Sequence, residues 1–134
     1  MNPLTLDTLP LRTSEDIVQM RRSTRSWMVE HGFSLVDQTK MVTAASELAR
    51  NAIDYGGGGS ARLELLTEQG RVGIQAVIQD HGPGIANLAQ AMTDGYTSGQ
   101  GLGLGLPGSK RLVDDFELWS EPGQGTRVSI VKWK

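Results

Sequence analysis

Val72-Gly73-Ile74-Gln75-Ala76-Val77-Ile78-Gln79-Asp80-His81-Gly82-Pro83-Gly84 is the stretch that decides the fold. Val72, Ile74, Ala76 and Ile78 recur at every second position, the period of a strand with one buried face. The alternation runs into Asp80, so a strand carries a carboxylate to its own end, where the chain must turn. Aspartate before Gly-Pro-Gly is most simply the start of a turn. The functional reading is a carboxylate that accepts a hydrogen bond from the exocyclic amine of adenine, with Gly82 and Gly84 letting the backbone pass close to the base. Such a charge-assisted bond contributes roughly 1.5–3 kcal/mol, or about 10- to 150-fold in affinity.

Working outward, Ala61, Leu63 and Leu65 alternate with Arg62 and Glu64 as a preceding strand, and Glu68-Gln69-Gly70 turns the chain between the two. Upstream, Met41, Ala45, Leu48, Ala52 and Tyr55 mark the core stripe of a helix over 36–55, stopped by four glycines at 56–59. An earlier helix opens on a capping box, Thr13 with Asp16, and carries Ile17, Met20, Trp27 and His31 up to Gly32. Leu4, Leu6, Leu9 and Leu11, interrupted by Pro10, predict an edge strand before it, since proline cannot donate to a central ladder. Downstream, the pattern predicts a short helix over 85–92, a helix from Pro107 to Asp114, and a terminal hairpin of 116–120 with 126–133. The sum is an α+β, two-layer sandwich: helices on one face of a mixed sheet, a single domain over residues 1–134.

The chain has 134 residues and a formal net charge of −2, so no broad cationic field points to nucleic acid or an anionic membrane. No apolar run reaches spanning length and no leader pattern opens the chain. With no cysteine there is no disulfide or thiolate metal site, which fits the cytoplasm. Most of the 17 glycines cluster, at 56–59, 82–84, 95–108 and 123–125, where backbone must approach something closely.

Glu47, Asn51 and Asp54 stand at i, i+4 and i+7, on one helical face. The simple alternative is a solvated face with Glu47 pairing Arg50. However, asparagine is mildly unfavourable mid-helix, and its carbonyl oxygen one turn from a carboxylate suits Mg²⁺. Gly99, Gly101, Gly103 and Gly105 alternate with leucines at 102, 104 and 106. That spacing matches neither the dinucleotide fingerprint nor a Gly-Lys-Ser phosphate loop. It leaves unhindered N–H groups feeding a helix N-terminus, which binds anions. Gly123-Gln124-Gly125-Thr126 alone reads as a hairpin turn. Arg21, Arg22 and Arg25 read as a solvated face first and a docking surface second. His31 and His81 lack ligand spacing.

Glu47 to Asn51, Asp80 to Gly84, 99–105 and Gly123 to Thr126 together resemble, in order and spacing from about residue 36 onward, the N, G1, G2 and G3 boxes of the GHKL ATPase/kinase superfamily, the group of gyrase, Hsp90, histidine kinases and MutL. Residues 94–116 are similar to RsbT-type serine/threonine kinases of bacterial stress signalling. The resemblance implies ATP and Mg²⁺ as cofactors, and transfer of phosphate to serine or threonine of a STAS-domain partner in a stressosome-like complex. A PP2C-type phosphatase is the implied second partner. It further implies that Asn51 coordinates Mg²⁺ and that Glu47 polarises or deprotonates the attacking hydroxyl. Asp80 recognises adenine, Gly82 and Gly84 line the base pocket, Gly101, Gly103 and Gly105 contact phosphates beside Gly99, and Thr126 supports the adenine contact. The 93–105 stretch holds no basic residue, where related anti-sigma kinases can place an arginine; Lys110 is the nearest cation. A nucleotide-switched anti-sigma factor is the alternative function. About 35 residues before the metal-binding helix leave no room for a phospho-histidine hairpin, and the chain has no transducer domain of a mechanical ATPase.

Overall fold

The computed structural model describes residues 6–85, 92 and 105–134. Its elements run β1 (Leu6–Leu11), α1 (Ser14–Glu30), α2 (Leu35–Asp54), β2 (Gly59–Glu68), β3 (Arg71–Asp80), α3 (Gly105–Leu112), β4 (Asp115–Glu121) and β5 (Gly125–Trp133). The strands form one sheet in the order β1-β2-β3-β5-β4. Helices cover one face of it, as the alternation of the strands requires.

Every pair of neighbouring strands is antiparallel, which corrects the expected mixed sheet. Two hairpins account for most of this. Gln69 and Gly70, at φ 50° and 81°, make the two-residue turn that fits the twist of β2 and β3, and a tight turn likewise joins β4 to β5. The chain from β3 through α3 does deliver β4 in the direction of β3. β5 then folds back between the two, so the parallel strands never touch. The expected helix over 85–92 lies largely outside the described residues, as does Leu4.

Both long helices start where side chains meet their free N–H groups. Thr13 Oγ1 accepts from Asp16 N at 3.3 Å while Asp16 Oδ2 accepts from Thr13 N at 3.2 Å, completing the capping box of α1. Ser34 Oγ accepts from Asp37 N at 3.1 Å and caps α2. α1 buries Ile17, Met20, Thr24 and Met28. Trp27 is only partly buried and His31 is the C-cap, so the true stripe runs one residue from the predicted one at its C-terminal half. Thr24 was overlooked because a hydroxyl breaks an apolar pattern, yet its Oγ1 donates to Met20 O at 2.8 Å and is satisfied within the helix.

α2 lies against the middle of the sheet. Its Met41, Ala44, Ala45, Leu48, Ala49 and Ala52 are buried with Ala61 and Leu63 of β2, Ile74, Ala76 and Ile78 of β3, and Val128 and Ile130 of β5. The alanines let the helix backbone sit close to the strands. Tyr55 leaves the predicted stripe: it is the C-cap, 42% exposed, because the helix ends before that position can turn inward. Among the described residues no helix is long and apolar enough to cross a membrane.

Candidate active site

Asp80 has the same strand parity as Ile74, Ala76 and Ile78, so its side chain points to the helix-covered face. It is 8% exposed. Oδ1 accepts from Gly82 N at 2.9 Å and from Thr126 N at 3.3 Å. Among the described residues no donor is assigned to Oδ2. The carboxylate is therefore half satisfied by backbone, with an oxygen left to accept from something else.

The end of α2 is pressed onto this carboxylate. A Cβ on Gly56 would fall against Asp80 Cγ and 2.5 Å from Oδ2. A Cβ on Gly82 would lie 2.6 Å from Gly56 Cα. Both glycines are thus required where the turn after α2 crosses the loop after β3. At Gly82 the neighbour that forbids a side chain is the protein's own backbone, a reason the sequence did not reveal. Gly84 likewise meets the Glu121 backbone of β4, with a hypothetical Cβ 2.8 Å from Glu121 C.

Asn51 and Glu47 reach the same end of the molecule. Tyr55 N donates to Asn51 O at 2.9 Å, one turn from the helix end. Asn51 therefore lies about 7–8 Å of helix rise from Gly56, the residue stacked on Asp80. Glu47 is one turn further back; both are half-buried, and Asp54 is exposed. Arg50 does not neutralise Glu47: its Nη1 donates to Ser14 Oγ of α1 at 3.3 Å. A carboxylate and an amide oxygen at i and i+4 are the hard oxygen ligands that Mg²⁺ takes, few in number beside waters and phosphate. Among the described residues no group of three or more His, Cys, Asp or Glu could hold a metal.

Thr126 meets Asp80 through its backbone N–H, while its hydroxyl lies 2.9 Å from Ser120 Oγ. Ser120 was missed from sequence. It is 7% exposed, its Oγ accepts from Ile85 N at 2.8 Å and donates to Gly125 O at 2.9 Å. The hairpin register reveals it: Ser120 follows Phe116 and Leu118 on the inward face, opposite Thr126. Gly123 N donates to Pro83 O at 2.7 Å, so the loop after Asp80 is stitched to the β4–β5 hairpin.

α3 begins at Gly105 and packs on α2. Lys110 is exposed in its last turn, about 7–8 Å of rise from Gly105. Gly99, Gly101 and Gly103 lie outside the described residues. His31 and His81 stay apart from any ligand cluster among the described residues.

The family described as "Histidine kinase-, DNA gyrase B-, and HSP90-like ATPase" matches residues 36–134. The chain belongs to this family, the GHKL ATPases. It is 43% identical over 123 residues to the serine/threonine-protein kinase RsbT of Bacillus subtilis (strain 168), covering 92% of each chain. It is 37% identical over 97 residues to the anti-sigma F factor of Clostridium beijerinckii, covering 67% of this chain and 66% of that one. The crystal structure of the RsbU and RsbW domains of Rv1364c from Mycobacterium tuberculosis matches with a TM-score of 0.67 at 20% identity. That match spans 96% of this chain and 33% of the other, and it supports the fold alone. Membership of a GHKL ATPase family, with RsbT similar along nearly the whole length, makes the protein an ATP-using serine/threonine-protein kinase.

Proposed function

We propose that this kinase transfers the γ-phosphoryl group of ATP to a serine or threonine of a STAS-domain protein, in a stressosome-like complex of the bacterial cytoplasm. Released from that partner, it binds and activates a PP2C-type phosphatase. The observation that carries the nucleotide part is Asp80: a buried carboxylate on the helix-covered face, under the end of the helix that bears Glu47 and Asn51. Asp80 on the helix-covered face and Asn51 about 7–8 Å of helix rise above Gly56 support reading the two as the base end and the metal end of one nucleoside triphosphate. The protein-substrate part is supported by likeness to RsbT.

In this reading Asp80 accepts from the adenine amine, Thr126 supports it, and Gly82 and Gly84 shape the base pocket. Asn51 would hold Mg²⁺, which would neutralise phosphate charge when bound. Glu47 accepts the proton of the attacking hydroxyl. Gly99, Gly101, Gly103, Gly105 and the start of α3 offer N–H groups to the phosphates, with Lys110 the nearest cation. Phosphoryl transfer passes through a loose transition state, so most of the rate comes from positioning and charge stabilisation. A base adds roughly 10²- to 10⁴-fold in general.

The test is direct. The protein is incubated with labelled ATP, Mg²⁺ and purified STAS-domain proteins encoded near its gene. One of them is expected to become labelled on serine or threonine, and label on none would end the proposal. The likeness to an anti-sigma F factor favours a second reading, a module that sequesters a sigma factor and uses nucleotide as a switch. Retention of a sigma factor, with no labelled STAS protein, would select it.

A further inference from the structure

The hydroxyl pair beside Asp80 has a defined direction. Ser120 has one proton and two lone pairs to offer. Its Oγ lies 2.9 Å from Gly125 O, a contact between oxygens that only the Ser120 proton can bridge. One lone pair takes the Ile85 N–H at 2.8 Å. The remaining contact, 2.9 Å to Thr126 Oγ1, must then be filled by the Thr126 proton. Ser120 is saturated, and Thr126 has no proton left for a ligand. Thr126 is half-buried and still reachable, and its own N–H holds Asp80 Oδ1 at 3.3 Å. The rim formed by Thr126 and Asp80 therefore presents acceptors only.

We infer that Ser120 is a positioning residue for base selectivity: by taking the Thr126 proton it makes the rim accept a 6-amino purine and reject a 6-oxo purine. The inference rests on the reading that Asp80 receives the base. An exocyclic amine offers two hydrogens to two acceptors. At the position of the amine a 6-oxo group brings lone pairs against both, and the neighbouring N1–H can satisfy at most one of them, so an acceptor is left unpaired at a cost. Remove the Ser120 hydroxyl and Thr126 can rotate its proton outward, becoming a donor for the 6-oxo group.

The experiment compares ATP with inosine triphosphate, in which the 6-amine becomes 6-oxo and N1 gains a proton, through Kd values from calorimetry with Mg²⁺. The wild type is expected to prefer ATP by at least about tenfold. Ser120→Ala is expected to lower that preference by about tenfold, with inosine triphosphate gaining relative to ATP, while Ser120→Thr keeps it. A purely structural role would weaken both nucleotides alike, and an unchanged ratio in Ser120→Ala overturns the inference. If Ser120→Ala does not fold, Thr126→Val decides: it leaves the Ser120 contacts to Ile85 and Gly125 intact and removes the presented acceptor. Its ATP preference is expected to fall, and an unchanged preference refutes the idea. Asp80→Asn separates the two layers. If it leaves ATP affinity untouched, the nucleotide reading fails; if it weakens ATP while Ser120→Ala keeps the ratio, only the role of Ser120 fails.

Discussion

A carboxylate buried at a strand end costs free energy unless donors meet it, and among the described residues Asp80 is met on one oxygen only, by Gly82 N and Thr126 N. In the proposed reading the nucleotide base supplies the rest, which sets the size of the first expected effect. Asp80→Asn should weaken ATP binding at least about tenfold, because the charge-assisted bond to the base is lost; calorimetry measures it, and wild-type affinity would remove Asp80 from the site. Asn51→Ala should keep the fold, since the side chain is half-buried on a helix, and should abolish the gain in ATP affinity that Mg²⁺ gives. A titration with and without Mg²⁺ reads this, and a persistent gain would show that the metal is held elsewhere. Asp80 was legible because a strand pattern ends on it. Ser120 was not, because a lone serine in a strand has no local mark; it becomes visible only once the hairpin register places it opposite Thr126.

Elements were read most securely where local chemistry alone decides them. The capping box of α1 and the turn at Gln69-Gly70 are both of this kind. Strand direction is different, because it depends on where β5 inserts, and no residue in β3 or β4 encodes the neighbour it will lack. The inward face of α1 was half legible for a related reason: Trp27 and Met28 are adjacent, and tertiary packing, not hydrophobicity, chooses Met28. The cap itself can be tested. Thr13→Ala removes the acceptor for Asp16 N, leaving that donor to water, and should cost about 0.5–2 kcal/mol of stability in urea unfolding. ATP affinity should not change, since the hydrogen bond between the start of α1 and the site-bearing half of α2 runs from Arg50 to Ser14 and does not involve Thr13. A loss of affinity as large as the loss of stability would mean that α1 helps to shape the pocket.

On the scale of the whole molecule the two ends of the sheet carry different work. Asp80 closes one end of β3. Toward the other, Lys132 pairs with Ile74, six residues away and hence about 20 Å along the strand. Lys132 points into the helix layer with only 9% of its surface exposed, and its Nζ lies 3.6 Å from Asp37 Oδ1 in the first turn of α2 and 3.2 Å from Asp114 Oδ1 between α3 and β4. Asp114 Oδ2 also accepts from Trp133 N at 2.7 Å. One ammonium thus ties together three segments that are distant in sequence. A buried pair is weak evidence of net stability, but breaking one strands the partner charges. Here those partners are part-exposed, with side chains 29% and 39% accessible, so water can recover part of the loss. Lys132→Met, which keeps the stem packed, should therefore destabilise by only about 1–2 kcal/mol in urea, below the roughly 3–5 kcal/mol expected of a fully buried pair. Being about 20 Å from the carboxylate at Asp80, the change should leave ATP affinity within error of wild type. If nucleotide affinity falls with Lys132, the two ends of the sheet are coupled, and the separation of staple from site drawn here is wrong.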